Sequence, residues 1–125
     1  MTNSQIINPG IPVAGPYSPG IKVGNLLFIS GQGPVEGALD IESQTTSTLE
    51  KIKKIVETAG GNLSNIVRTT VYLKEISEFK QMNQKYKAFF EQNGVTEKFP
   101  ARITVEVSNL PLETMLIEIS AIAVL

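Results

Sequence analysis

The amino-acid sequence predicts an α+β domain, a single β-sheet covered on one face by two helices, and three observations carry that prediction. Two segments repeat apolar residues at three- and four-residue spacing. Five shorter segments are β-branched or apolar and are bounded by Gly, Asn or Pro. Two of those five are apolar on both sides, as strands are when both faces of their sheet are covered. The resulting order is β-β-α-β-α-β-β.

The first twenty residues hold four of the seven prolines, Pro9, Pro12, Pro16 and Pro19, with Gly10, Gly15 and Gly20 among them. This reads as irregular, turn-rich chain laid along a surface. Strands are expected at Gly20–Val23 and Leu26–Ser30, joined by a Gly24-Asn25 turn. From Asp40 to Ala59 the period becomes helical: Leu49, Ile52, Val56 and Ala59 share one face, while Glu50, Lys53, Lys54 and Glu57 face away. Asp40 is the expected N-cap and Gly60-Gly61 the left-handed stop. Ile66–Leu73 is β-branched and reads as a strand. Ser77 is expected to cap a second helix running to Gln92, with Phe79, Met82, Tyr86, Phe89 and Phe90 on its apolar side and Asn93-Gly94 ending it. Two last strands, Ala101–Val107 and Met115–Leu125, flank a turn at Asn109 to Pro111.

The final strand is the most informative. Ile117, Ile119, Ala121 and Ala123 point one way, and Leu116, Ile122 and Val124 the other; Leu26 and Phe28 against Leu27 and Ile29 repeat the pattern. Two helices cover only one face, so the second must meet another subunit. An oligomer follows from that count, without its number of subunits.

At 125 residues the chain is expected to be one domain, residues 1–125. Apolar residues make up 42% and charged residues 18%, which fits a packed core rather than disorder. Eleven basic against twelve acidic side chains leave a net charge of −1, without the electrostatic footprint of a phosphate-backbone binder, so no nucleic-acid partner is expected. The sequence contains neither cysteine nor histidine, which excludes thiolate nucleophiles, Ser-His-Asp triads and thiolate or imidazole metal sites. Catalysis would have to run on carboxylates, Arg, Lys, Tyr, hydroxyls, backbone groups and water. The opening MTNSQIINPG does not have the pattern of a signal peptide, and no apolar run reaches membrane-spanning length. No membrane association and a cytoplasmic location are the expectations.

The densest polar constellation falls on the last two strands. A period of two puts Arg102, Thr104 and Glu106 on one side of theirs, opposite Ile103, Val105 and Val107. Glu118 and Ser120 interrupt the apolar final strand, and a carboxylate there is costly to desolvate unless it is paired or in use. The expected partner is Arg102; taken from spacing alone, a purely structural ion pair outweighs a catalytic one. Ser30 opens the Gly31-Gln32-Gly33 loop, where its hydroxyl and the following N–H groups can hold a substrate oxygen or a water; a serine bonded to its own turn is the plainer alternative. Tyr17 is either a pocket lid or surface packing. The aromatic residues of the second helix are read as core rather than a stacking platform.

With these residues in place, the sequence resembles the Rid family, also called YjgF or UK114, along almost its whole length. The resemblance rests on Gly15, Pro16, Tyr17 and Ser18; on Ile29 to Gln32; on Met82-Asn83 with Tyr86, Phe89 and Phe90; and most specifically on Phe99, Pro100, Ala101 and Arg102 with Val105, Val107, Leu110 and Pro111, then Ile117 to Ile119. It implies a chorismate-mutase-like fold, a mixed sheet backed by two helices, assembled as a homotrimer around a central β-barrel with clefts between subunits. It also implies hydrolytic deamination of 2-iminobutanoate and 2-iminopropanoate, released by pyridoxal-phosphate dehydratases, to 2-oxo acids and ammonia, with no cofactor and no metal. Arg102 matches the arginine that anchors the substrate carboxylate, through a planar pairing that lysine does not reproduce. Glu118 matches the acidic residue that orients or activates a water. Tyr17, Ser30, Gly31, Asn83 and Thr104 match positions at the cleft. Thr104 stands where some members carry cysteine, and Ser120 where some carry a second glutamate. The competing expectations are a non-catalytic regulator that binds small carboxylates or a partner, and, further off, a ribonuclease.

Overall fold

The computed structural model describes residues 3–125. It contains one mixed sheet of six strands, in the order β1-β2-β3-β6-β4-β5, and two helices. The strands are β1 Ser4–Ile7, β2 Gly20–Val23, β3 Leu26–Gln32, β4 Ile66–Leu73, β5 Ala101–Glu106 and β6 Ile117–Val124; the helices are α1 Ile41–Thr58 and α2 Phe79–Gln92. Neighbouring strands are antiparallel except β4 and β5, which run parallel after the α2 crossover.

The expected elements are all present, with three corrections. The first concerns the amino-terminal segment, expected to be irregular throughout. Ser4–Ile7 instead forms an edge strand on β2, with Ile7 buried against the core and Ile6 facing out. Four residues are too few to show a period, so only the pairing reveals this strand. The second concerns Ser77, which does not cap α2. It lies in a 3-10 turn, Ile76–Glu78, whose first N–H donates to the Glu106 carboxylate on β5 at 2.8 Å. That contact from a distant strand closes the turn, and α2 starts only at Phe79, with no side-chain cap. The third concerns Phe79, expected to be core but 38% exposed at the start of the helix.

Asp40 is the N-cap of α1, its carboxylate accepting from the Ser43 N–H at 2.7 Å. Gly60 stops the helix at φ 95°, a conformation that costs a side-chain-bearing residue a Cβ clash. Leu49, Ile52, Ile55 and Val56 of α1 and Met82, Tyr86, Phe89 and Phe90 of α2 pack on the helix-facing side of the sheet, against Leu27, Ile29, Val71, Ile117, Ile119 and Ala121. Gln44 is fully buried and fully employed. Its amide donates to the carbonyls of Ala38 and Thr114 and accepts from the Leu116 N–H, which ties both chain segments flanking the sheet to α1.

The second face of the sheet is uncovered. Leu26, Phe28, Ile103, Val105 and Val124 are each 38–45% exposed there, beside the half-buried Ile122. Among the described residues no helix is long and apolar enough to cross a membrane.

Candidate active site

The carboxylate lies on the uncovered face. β3 and β6 pair regularly from Leu26↔Val124 to Ile29↔Ala121, then shift so that Gln32 meets Ile119. The bulge leaves two residues, Ser30 and Gly31, where the regular ladder has room for one, a device that re-aims side chains at sites. Gly31 sits directly against Glu118: a Cβ there would come within 2.8 Å of the carboxyl carbon and overlap a carboxyl oxygen. The φ of Gly31 is not positive, so what favours glycine here is the room it leaves for the Glu118 carboxyl, which a larger residue would push aside.

The Ser30 hydroxyl donates to the carbonyl of Ser18 at 2.6 Å, and the Ser30 N–H donates to the carbonyl of Pro19 at 2.9 Å. These two bonds tie the Pro16–Pro19 turn to Ser30 of the bulge; Tyr17, within that turn, is 48% exposed and its hydroxyl accepts from the Ala14 N–H. Ser30 therefore bonds across twelve residues of sequence rather than to its own turn. With its proton engaged, its oxygen is left as an acceptor. Glu118 is half-buried, and desolvation pushes its carboxyl above the ordinary range, so it holds a proton more tightly than a surface glutamate.

The arginine lies on the helix-covered face. Arg102 pairs in register with Thr69 on β4, and Thr104 with Val71. The Arg102 guanidinium lies 4.8 Å from the ring centre of Tyr86 and 5.6 Å from that of Phe79. The Tyr86 hydroxyl is hydrogen-bonded to the buried Thr69 hydroxyl at 2.7 Å. Asn83 shares the helix stripe of Phe79 and Tyr86, and its Oδ1 is buried without a partner; so is the Thr104 Oγ1 two residues from Arg102. Unpartnered buried polar atoms beside an arginine are what a ligand would satisfy.

The expected Arg102–Glu118 pair is not formed within one protomer. Register shows why: Arg102 shares the side of Thr69, whereas Glu118 pairs with Tyr72, three residues along β4 and therefore on the opposite face. The structure thus sets Gly31 against Glu118 beside Ser30 on one face, with Tyr17 in the turn bonded to Ser30, and places Arg102 and Thr104 on the other face, the one that α2 with Asn83 covers. Two concavities among the described residues each leave out both Arg102 and Glu118. A groove of about 770 Å³ lies between the Val35–Ala38 loop and α1. A hollow of about 390 Å³ on the uncovered face is lined by Phe28, Arg68, Thr70, Ser120 and Ile122. Among the described residues no acidic side chains gather into a set able to hold a metal ion.

Helical spacing predicts Tyr86 and Phe79 in the core, and nothing in the sequence singles out Thr69. Tyr86 is core, yet it also carries Arg102. Helical spacing signals burial but gives no sign of a guanidinium arriving from a strand sixteen residues later.

The comparisons with known proteins agree with this architecture. A family model described as Endoribonuclease L-PSP, the YjgF/Rid family, matches residues 9–125. The chain is 48% identical over 115 residues to a RutC family protein of Pyrococcus horikoshii, covering 87% of this chain and 86% of that one. It is 44% identical over 128 residues to the 2-iminobutanoate/2-iminopropanoate deaminase of Escherichia coli K12, covering 98% of each. Among solved structures, E. coli TdcF with bound serine superposes with a TM-score of 0.91 at 35% identity, over 97% of this chain and 98% of that one.

Proposed function

Because the chain belongs to the YjgF/Rid family, we propose that it is an imine deaminase, hydrolysing 2-iminobutanoate and 2-iminopropanoate to 2-oxo acids and ammonia in the cytoplasm. The observation that carries the reading is the division of the candidate residues into two incomplete halves on opposite faces of one sheet. A homotrimer whose uncovered faces form a central barrel would join the Glu118 half of one subunit to the Arg102 half of its neighbour, and would cover the apolar face at the same time. The serine bound to a relative at 35% identity supports a ligand of amino-acid size with a carboxylate.

In this mechanism Arg102 grips the substrate carboxylate in the plane of its guanidinium. Asn83 and Thr104 offer their unpartnered oxygens to the substrate N–H, while Tyr17 closes the rim. Glu118, with Gly31 leaving room beside it, holds a water and takes its proton as the oxygen adds to the C=N carbon. Starting from the protonated imine, the carbinolamine so formed receives that proton on nitrogen and expels ammonia, while its hydroxyl proton passes back to Glu118 as the C=O forms, and the 2-oxo acid leaves. An imine is already electrophilic, so positioning and one base suffice, and the reaction calls on no cofactor. A raised carboxyl pKa strengthens Glu118 as a base. A regulator that merely binds carboxylates would need only the arginine half. The ribonuclease named in the family description draws no support from a chain with no histidine and a net charge of −1.

The test is a coupled assay in which a dehydratase generates the imine from threonine and release of 2-oxobutanoate is followed. Acceleration by the wild-type protein, lost in Arg102→Ala and Glu118→Gln, is the expected result. No acceleration over spontaneous hydrolysis by the folded protein, across several imines, would favour the carboxylate-binding regulator.

A further inference from the structure

Resting on the deaminase reading, we propose that Tyr86 is a positioning residue: its ring, locked by the hydroxyl of Thr69, aims the Arg102 guanidinium at the substrate carboxylate. Arg102 stands on β5, an edge strand, and its long side chain has many rotamers to lose on binding. Stacking on a ring face and hydrogen bonding in the guanidinium plane use perpendicular directions. A ring beneath the guanidinium therefore restrains it while leaving the N–H edge free for a planar carboxylate.

The two rings beside Arg102 differ in how firmly they are held. Phe79 is 38% exposed at the first turn of α2, whereas Tyr86 is 4% exposed. The Tyr86 ring packs on Phe90 with centroids 4.8 Å apart, and its hydroxyl meets Thr69, which is fully buried. Thr69 is also the register partner of Arg102. The arrangement closes a loop: strand pairing fixes Arg102 beside Thr69, Thr69 holds the phenol, and the phenol ring returns to the guanidinium. Burial keeps the phenol protonated and able to donate. A Phe and Val pair would fill the same space without two buried hydroxyls to satisfy. What the hydroxyl pair adds over that apolar filling is orientation of the ring.

The experiment compares wild type with Tyr86→Leu, Tyr86→Phe, Thr69→Val and Arg102→Ala. It measures kcat and KM for the imine, Kd for 2-oxobutanoate by calorimetry, and Tm. For Tyr86→Leu, KM and Kd should rise about tenfold with kcat changed less than about twofold. Tyr86→Phe and Thr69→Val should each weaken binding by a smaller factor, about two- to threefold, with a modest fall in Tm because the remaining buried hydroxyl loses its partner. In the Arg102→Ala background the Tyr86→Phe change should have no further effect on Kd, because the ring then has nothing to aim. Unchanged KM and Kd in folded Tyr86→Leu would overturn the proposal and leave the deaminase reading intact. If Tyr86→Leu does not fold, Tyr86→Phe and Thr69→Val with wild-type Kd would overturn it equally. Wild-type protein that neither binds 2-oxobutanoate nor accelerates hydrolysis would overturn both readings together.

Discussion

The sheet is apolar on both faces, but the faces have different fates. Toward the helices, Leu27, Ile117, Ile119 and Ala123 are completely shielded. On the other side Leu26, Phe28, Ile103 and Val105 keep 38–45% of their surface exposed. The covered face holds the protomer together, and it also carries the arginine, seated on an aromatic helix. The uncovered face carries the carboxylate, set in a bulge. On the proposed function each face holds one chemical half of the site, and within one protomer Arg102 and Glu118 stand on opposite sides of the sheet. The difference teaches that the stable unit of this protein and its chemically complete unit need not be the same.

The largest effect should come from breaking the uncovered face. Phe28→Asp would place a carboxylate in the middle of that face, at a cost of several kcal/mol if the face is buried in an assembly. Sedimentation should show the wild type as a trimer and the variant as a folded monomer without deaminase activity. A wild type that sediments as a monomer would remove the shared cleft. The next test joins the two halves. Arg102→Ala and Glu118→Gln are each expected to be inactive alone, but dissociated and reassembled together they should regain about a quarter of wild-type activity, because that fraction of randomly formed clefts takes both intact halves from different chains. No recovery would place both groups in a site built by one chain.

The covered face should respond differently. Phe90→Ala, at a fully buried side chain, should cost about 3–5 kcal/mol of folding stability in denaturant titration. Ile103→Ala should instead weaken assembly and leave the protomer near its original stability. The smallest effect belongs to pH. Burial raises the Glu118 pKa in the folded state, so between its ordinary value and the raised one the folded protein binds more protons than the unfolded chain. Stability from this group therefore falls as pH rises through that window, and Glu118→Gln should flatten the slope in melts across it. The acid limb of kcat/KM should lie above the ordinary carboxylate range for the same reason.

Most of the fold was legible because it is written in local periods. The 3.6-residue stripe of Leu49, Ile52 and Val56, the Asp40 cap, the Gly60 stop and the two-residue alternation along Ile117 to Ala123 each need only a few neighbouring residues to be recognised. The short β1 escaped because four residues carry no period. The Ser77 cap failed because the Glu106 carboxylate, twenty-eight residues past Glu78, closes the turn ahead of α2 instead. The candidate site was legible as residue types, and family resemblance brought Arg102, Glu118, Tyr17, Ser30, Gly31, Asn83 and Thr104 forward together. Their grouping was not legible.

What the sequence by itself determined is therefore the set of elements, the two-faced character of its strands, and an arginine and a glutamate set among apolar neighbours. Only the tertiary structure decided that β5 runs parallel to β4, that Ser30 and Gly31 bulge out to admit Glu118, and that Arg102 faces the helices while Glu118 faces away. The physical reason is that side-chain alternation tells which residues share a side of one strand. Which side of the sheet that becomes is set by register with strands far along the chain, and a shift of one residue exchanges the faces.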